Sequence, residues 1–340
     1  IVCGAPNVAA GQKVMVATVG ATLYMTDGAV IIIKKSKIRG QESNGMICAE
    51  DELGLGQSHA GILVLAADAV PGTAAAQQLG LTSDHVLEIG LTPNRTDAIG
   101  HVGVARDLIA ALNYRTGADL QLQLPDVGAY AQDDDARTTQ VEVRDAKACP
   151  RYAGVTLTNV RVGPSPKWLQ DRLLAIGLKP INNVVDVTNY VQHELAQPLH
   201  AFDSDTLAGG RIVVRMAAPG EAFTTLDGKV RKLDATDLVI ADTDGPACIA
   251  GVFGGADSGV SERTTTVFLE SAYFVPGTVR RTARRHALNT DASFRFERGV
   301  DPEITVYALK RAALLLKEVA GARISSAITD IDHTLKHRSM

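Results

Sequence analysis

Four stretches of this sequence carry residue types at spacings that could do chemistry. In the first, Val184, Val185 and Val187 flank Asp186 in a short β-branched run that predicts a buried strand. Thr188 and Asn189 follow, two small polar groups able to donate or accept, and Pro198 leads a turn that carries His200. Polar groups gathered just past a buried strand suit a small pocket that orients a substrate. Taken singly, the same residues also fit a strand end with turn chemistry. The second stretch is Glu270, which ends the run Thr266, Val267, Phe268, Leu269. A carboxylate there is either an outward-facing strand residue or a buried group needing a donor, such as a substrate hydroxyl or His200.

The third stretch, residues 251–259, is rich in glycine. It lacks the lysine of a P-loop and the βαβ setting of a dinucleotide fold, so it predicts a tight turn, where Gly251 could let a ligand lie against the main chain. The fourth is Arg280, Arg281, Arg284 and Arg285, which put one helix face under strong positive charge. A solvated face is the ordinary explanation. The absence of an acidic residue between them favours an external anion such as RNA phosphate. Arg295, Glu297 and Arg298 read as an internal ion-pair set. No Walker A loop, nucleophile elbow, HExxH or kinase signature is present.

The elements that must position these groups fall into several domains. Residues 1–72 read as all-β, with strand pieces at 13–19, 30–33 and 61–65 at the spacing of a small oligonucleotide-binding type of barrel. Lys34, Lys35, Lys37 and Arg39 form a local basic patch on it, usable for phosphate contacts or as an edge strand guarded by lysines. Residues 73–118 form a smaller α/β segment, with a helix near 74–79, a strand at 86–91 and a helix at 102–112. Residues 119–140 read as a linker. Residues 141–330 predict an α+β domain of packed helices on a largely antiparallel sheet. In it Ser165 and Pro166 cap and open a helix, Leu226 to Lys229 make a hairpin turn, and Asp301 to Glu303 cap an amphipathic helix carrying Ile304, Ala308, Ala312, Leu315 and Val319. Residues 331–340 read as a truncated or disordered tail.

Composition is that of an ordinary soluble globular chain, 46% hydrophobic and 21% charged over 340 residues. Only 4% is aromatic, so a pocket would be built from aliphatics, glycine and a few polar groups. A net charge of −4 confines any nucleic-acid surface to local patches. The four cysteines are scattered without zinc spacing, which suits reduced thiols in a cytoplasmic protein, and no apolar run reaches membrane-spanning length. Beginning at Ile1 in what reads as mid-strand, the chain looks like an excised piece.

Residues 1–8, 38–40 and 45–50 resemble the tRNA-binding module of the bacterial phenylalanyl-tRNA synthetase beta subunit family. Residues 94–97 with 103–107 resemble the segment after that module, and residues 184–203, 249–259, 269–274 and 284–302 resemble the family's editing (B3/B4) domain. The motifs are long and in the family's order. The resemblance implies tRNA binding and editing hydrolysis of mischarged Tyr-tRNA(Phe), with aminoacylation on a separate alpha subunit in a heterotetramer. It implies no cofactor in this part and ATP with Mg2+ in the holoenzyme. By position, His200 and Glu270 match residues that recognise the tyrosine hydroxyl, and Thr188 and Asn189 match pocket residues near the ester. Gly251 matches a glycine that keeps the pocket open, Thr290 and Ala292 match wall residues, and Leu226 its apolar side. Asn183 stands where some relatives place a basic residue. Two alternatives of other classes are a non-catalytic tRNA- or protein-binding module and a free-standing trans-editing hydrolase.

Overall fold

The structure, a computed structural model, describes residues 1–25, 28–56, 58–81 and 85–334. It divides into two compact units, Ile1–His85 and Val86–Met340. The expected boundary near residue 72 lies inside the first unit.

Six short strands make up most of the first unit: β1 (Val16–Thr18), β2 (Thr22–Tyr24), β3 (Val30–Ile32), β4 (Ser36–Ile38), β5 (Gln41–Ser43) and β6 (Gly45–Ile47). They pair antiparallel as β1–β6, β2–β3 and β4–β5. Among the described residues these ladders do not join into one closed barrel, so the oligonucleotide-binding barrel expected from the strand spacing is present only as separate ribbons. A small core of Ala17, Ile33 and Cys48 underlies them. A single helical turn, α1 (Ala75–Gln78), follows.

The second unit opens without the strand predicted at 86–91, which has no regular structure. Helix α2 (His101–Thr116) follows, closed by Gly117 in the left-handed conformation. Two five-stranded assemblies then enclose the main core. One sheet has the order β15 (Phe253–Gly254), β14 (Pro246–Ile249), β13 (Leu238–Ala241), β10 (Arg211–Met216), β7 (Gln140–Val143), antiparallel except for the β10–β7 pair. The other has the order β17 (Arg323–Ile324), β8 (Arg151–Thr158), β16 (Val267–Tyr273), β9 (Leu199–Asp203), with β18 (Thr329–Asp332) also on β8. A hairpin of β11 (Ala222–Thr224) and β12 (Val230–Lys232) carries the predicted turn at 226–229.

Alternation along β16 sorts its side chains between two cores. Phe268 and Ala272 join Tyr152, Phe202, Ile240 and Phe274 between the sheets. Val267 and Leu269 face the other way, onto α3 (Lys167–Ala175), α4 (Asn183–Leu195) and α7 (Thr305–Ala320) through Leu169, Val184, Val187, Val191 and Leu309. Glu270 falls in the row that faces the first core.

Four further expectations need correction. The β-branched run at 184–187 is the first turn of α4, because Asn182 accepts from the Val184 and Val185 amides at 3.1 and 3.0 Å and caps a helix there. Burial of Val184, Val187, Val191 and Leu195 at helical spacing outweighs the β preference of each valine. Ser165 does not cap α3; its hydroxyl donates to the buried Asp186 carboxylate at 2.6 Å. Residues 119–140 are no free linker, since Asp133 accepts from Lys317 at 2.7 Å and from the Ile324 amide, and Asp134 accepts from Ser325 at 2.6 Å. The expected tail begins inside a strand: β18 pairs with β8 as far as Asp332, and the His333 amide donates to Pro150 O at 2.7 Å. The rest of that tail, 335–340, lies outside the described residues.

Candidate functional site

Strand β16 runs through Glu270 to Tyr273, three residues beyond the predicted end, and so buries Glu270 between β8 and β9. A carboxyl in that position needs a donor, and Tyr152 supplies it: its hydroxyl donates to Glu270 Oε2 at 2.6 Å. Burial pushes Glu270 up to about 8 despite the Tyr152 hydrogen bond, which pulls the other way, so the carboxyl is neutral at pH 7. Charge on Glu270 would also oppose ionisation of Cys149 and Cys248, whose thiols burial already raises. Tyr152 carried no local signal in the sequence; it meets Glu270 only through the register that pairs β8 with β16.

His200 is the cross-strand partner of Glu270 on β9, which puts both side chains on one face of the sheet. Its ring packs edge-on against Phe202 at 4.4 Å, and its Nε2 is sealed without a hydrogen-bond partner. Burial lowers His200 to about 4, so the imidazole is neutral. Leu226 is 56% exposed, its amide donating to Gly254 O. A Cβ at Gly254 would sit 3.0 Å from Leu226 Cδ1 and 3.3 Å from His200 Cε1, so glycine at this position lets both side chains pack closely on the main chain.

The glycine-rich turn also packs on two aromatic rings. Gly251 has φ 67°, and a Cβ there would lie 2.9 Å from Phe296 and 3.0 Å from Phe274. Its nearest neighbours are thus two core rings. Thr290 caps α6 (Asp291–Phe296), accepting from the Ser293 amide at 3.0 Å, and its hydroxyl donates to Val252 O at 3.0 Å, which ties α6 to the turn. Ala292 packs against the first core from the same helix.

Thr188 and Asn189 sit apart from Glu270 and His200. Both lie on α4, which covers β9 from the second core, and the Thr188 hydroxyl is spent on Val185 O of its own helix at 2.7 Å. Asn189 precedes His193 by one turn, and the His193 ring meets Arg295 of α6 at 3.2 Å. That flank of α4 therefore looks toward the helix Thr290 caps. Asn183 is fully engaged as structure, donating to Arg161 O and Val319 O and accepting from the Gly163 amide.

The basic groups divide. Helix α5 (Pro276–His286) holds all four arginines, but Arg285 pairs inward with Asp237, a carboxylate that also accepts from Thr282 at 2.9 Å and bonds His286 at 2.8 Å. Asp237 lies far outside the run of four, which is why the run itself suggested an external anion. Arg280 donates to Glu297 O and Arg281 to Thr278, while Arg284 is exposed. Of the expected ion-pair set, Arg298 pairs with Glu297 at 2.8 Å, whereas Arg295 turns to Asp291 and His193. In the first unit Lys34, Lys35, Lys37 and Arg39 are all exposed, with Lys35 paired to Glu42 at 3.0 Å. Among the described residues no group of three or more His, Cys, Asp or Glu could hold a metal ion, and no helix is long and apolar enough to cross a membrane.

Two family models match the chain, one within each of its two units. The family model described as "B3/4 domain" matches residues 148–321, and the one described as "Putative tRNA binding domain" matches residues 1–74. Phenylalanine–tRNA ligase beta subunits from Bacteroides fragilis, Porphyromonas gingivalis and Salinibacter ruber are 59%, 57% and 50% identical, each over 97% of this chain. The chain spans about 40% of the length of these curated relatives. A solved N-terminal fragment of the phenylalanyl-tRNA synthetase beta-subunit from Pyrococcus horikoshii is 16% identical with a TM-score of 0.39, covering 68% of this chain and 60% of that one. With its B3/4 match over residues 148–321 and its likeness to these subunits along nearly all its length, the chain belongs to the B3/4 domain family, in the form found in phenylalanine–tRNA ligase beta subunits.

Proposed function

We propose that this chain is the tRNA-binding and editing part of a phenylalanine–tRNA ligase beta subunit, and that its B3/4 domain hydrolyses the ester of Tyr-tRNA(Phe). The observation that carries the reading is the row formed by His200 and Glu270, a sealed, unpartnered imidazole nitrogen beside a neutral carboxyl. An apolar synthetic site rejects an analogue that merely adds a hydroxyl by only about 10²-fold. A second site with buried polar groups waiting for that hydroxyl inverts the preference, since phenylalanine would leave them unpaired.

In this reading the tyrosyl ring enters past Leu226 and the glycine turn, with Thr290 and Ala292 as wall residues. None of these groups is a nucleophile. Asn189 and Thr188 on α4 help to orient a water on the ester carbonyl, assisted by the terminal hydroxyl of the tRNA. Lys34, Lys35, Lys37 and Arg39, with Arg280, Arg281 and Arg284, supply phosphate contacts. Aminoacylation, with its ATP and Mg2+, belongs to the complete synthetase with its alpha subunit. The Thr188 hydroxyl, already bonded within its helix, favours a second reading in which the chain binds tRNA without hydrolysis.

Deacylation of Tyr-tRNA(Phe) beside Phe-tRNA(Phe), by the full chain and its Glu270→Ala variant, decides between them. Selective hydrolysis of the tyrosyl ester by the wild type, lost in the variant, is the expected result. Tight tRNA binding with no hydrolysis of either ester, in the chain or in the complete synthetase, would leave the binding reading.

A further inference from the structure

The Tyr152 hydroxyl takes one oxygen of Glu270, at 2.6 Å, and leaves the other, Oε1, with no protein partner among the described residues. The titratable groups facing this carboxyl are Tyr152, Cys149, Cys248 and, across the strand, His200. None offers a positive charge to an ionised Glu270, because the half-buried His200 imidazole, its Nε2 sealed from solvent, is itself neutral. A phenol donating to Oε2 makes that oxygen an acceptor, and the proton of the neutral acid then belongs on Oε1.

We infer that Tyr152 is a positioning residue that fixes the polarity of Glu270, so that Oε1–H donates to a substrate hydroxyl whose own proton is accepted by His200 Nε2. A phenolic hydroxyl is both donor and acceptor, and this pair offers one of each. With the proton on Oε2 instead, two acceptors would face the ligand, and a lone phenol proton could satisfy only one. The inference rests on the editing reading for the identity of the ligand, but the protonation pattern is a property of the free chain. His200 must then carry its proton on Nδ1.

The test uses the full chain as wild type, Tyr152→Phe, Glu270→Gln and Glu270→Ala. Infrared difference spectra over a pH series, with the Glu270→Gln spectrum identifying the band, report the C=O stretch of the protonated carboxyl. It should be present at neutral pH and vanish near pH 8 in the wild type. In Tyr152→Phe it should persist to higher pH, because the hydroxyl removed had favoured the ionised form. Deacylation of Tyr-tRNA(Phe), corrected for spontaneous ester hydrolysis, should fall through the same pH range, and Tyr152→Phe should shift that fall upward and weaken the preference for tyrosine over phenylalanine. Glu270→Gln, whose amide can accept from Tyr152 and still donate, should abolish the fall and remain about tenfold or more faster than Glu270→Ala.

No neutral carboxyl band at pH 7 would overturn the inference. So would a Tyr152→Phe variant slower by one factor at every pH with its carboxyl titration unmoved, the mark of a merely structural tyrosine. An intact carboxyl titration without deacylation by the chain or the complete synthetase would instead refute the editing reading and leave the Tyr152–Glu270 polarity standing.

Discussion

Substituting Gly251 by alanine should destabilise the second unit through two separable effects. At φ 67° an L-residue costs about 1–2 kcal/mol relative to its preferred conformations. The new Cβ would also lie 2.9 Å from Phe296 Cδ2 and 3.0 Å from Phe274 Cδ2. Neither ring can retreat freely, since both are buried and they pack on each other at 5.0 Å. Overpacking of that kind costs about 1–3 kcal/mol. The lower entropy of the unfolded alanine chain returns about 0.4–1 kcal/mol, leaving a net loss of about 1–5 kcal/mol. Gly228 provides the control, with φ 74° and nothing within 4 Å of its own missing Cβ, so Gly228→Ala carries the backbone cost alone. The single tryptophan, Trp168 on α3, reports the second unit's transition in urea. Gly251→Ala should unfold at a lower urea midpoint than Gly228→Ala, by a margin that multiplied by the unfolding slope equals the packing cost. Equal midpoints would refute the close approach of the turn to Phe274 and Phe296.

Stability should respond to pH on both sides of neutrality. Glu270 has a folded-state value near 8 against an ordinary 4.5, so the folded chain keeps a proton the unfolded one has lost; stability from this group is full below about 4.5 and drains away up to about 8, by up to about 5 kcal/mol. Glu270→Gln should flatten that limb in urea midpoints taken against pH. His200 and His193, both lowered to about 4, act oppositely: the unfolded chain gains protons first, so stability falls as pH drops from about 6.5 to 4. Arg285→Ala should cost about 1–3 kcal/mol by stripping a partner from buried Asp237, while Arg284→Ala should leave the urea midpoint alone and weaken tRNA binding in a salt-dependent titration.

What could be read from the sequence depended on whether the deciding interaction was local. Helix α7 was legible because Ala308, Ala312, Leu315 and Val319 repeat at helical spacing before Gly321. Its expected cap was displaced: Asp301 accepts from the Glu303 amide and caps the 3-10 turn Pro302–Ile304, and α7 itself starts at Thr305 without a side-chain cap. The hairpin at 226–229 was legible from its Asp-Gly pair. Helix α4 was not, because three valines within four residues give a strand's composition, and only the cap on Asn182 and burial against the sheet turn them into a helix. The inward turn of Arg285 was hidden for a like reason: its acidic partner, Asp237, precedes it by 48 residues.

Glu270 marks where local reading stops. Its neighbours Val267, Leu269, Ser271 and Ala272 are buried on both faces of β16, so alternation carries no sign of which way a carboxyl in that row points. Once β8 and β9 flank the strand, the register decides everything about it: Tyr152 becomes its donor and His200 its cross-strand neighbour, and no positive charge faces it. An ionised glutamate in that row would have to be an acceptor, whereas a neutral one can donate. The chemistry available at position 270 is therefore a consequence of strand order, which brings together residues 118 apart, and it follows from residue type only after that order is known.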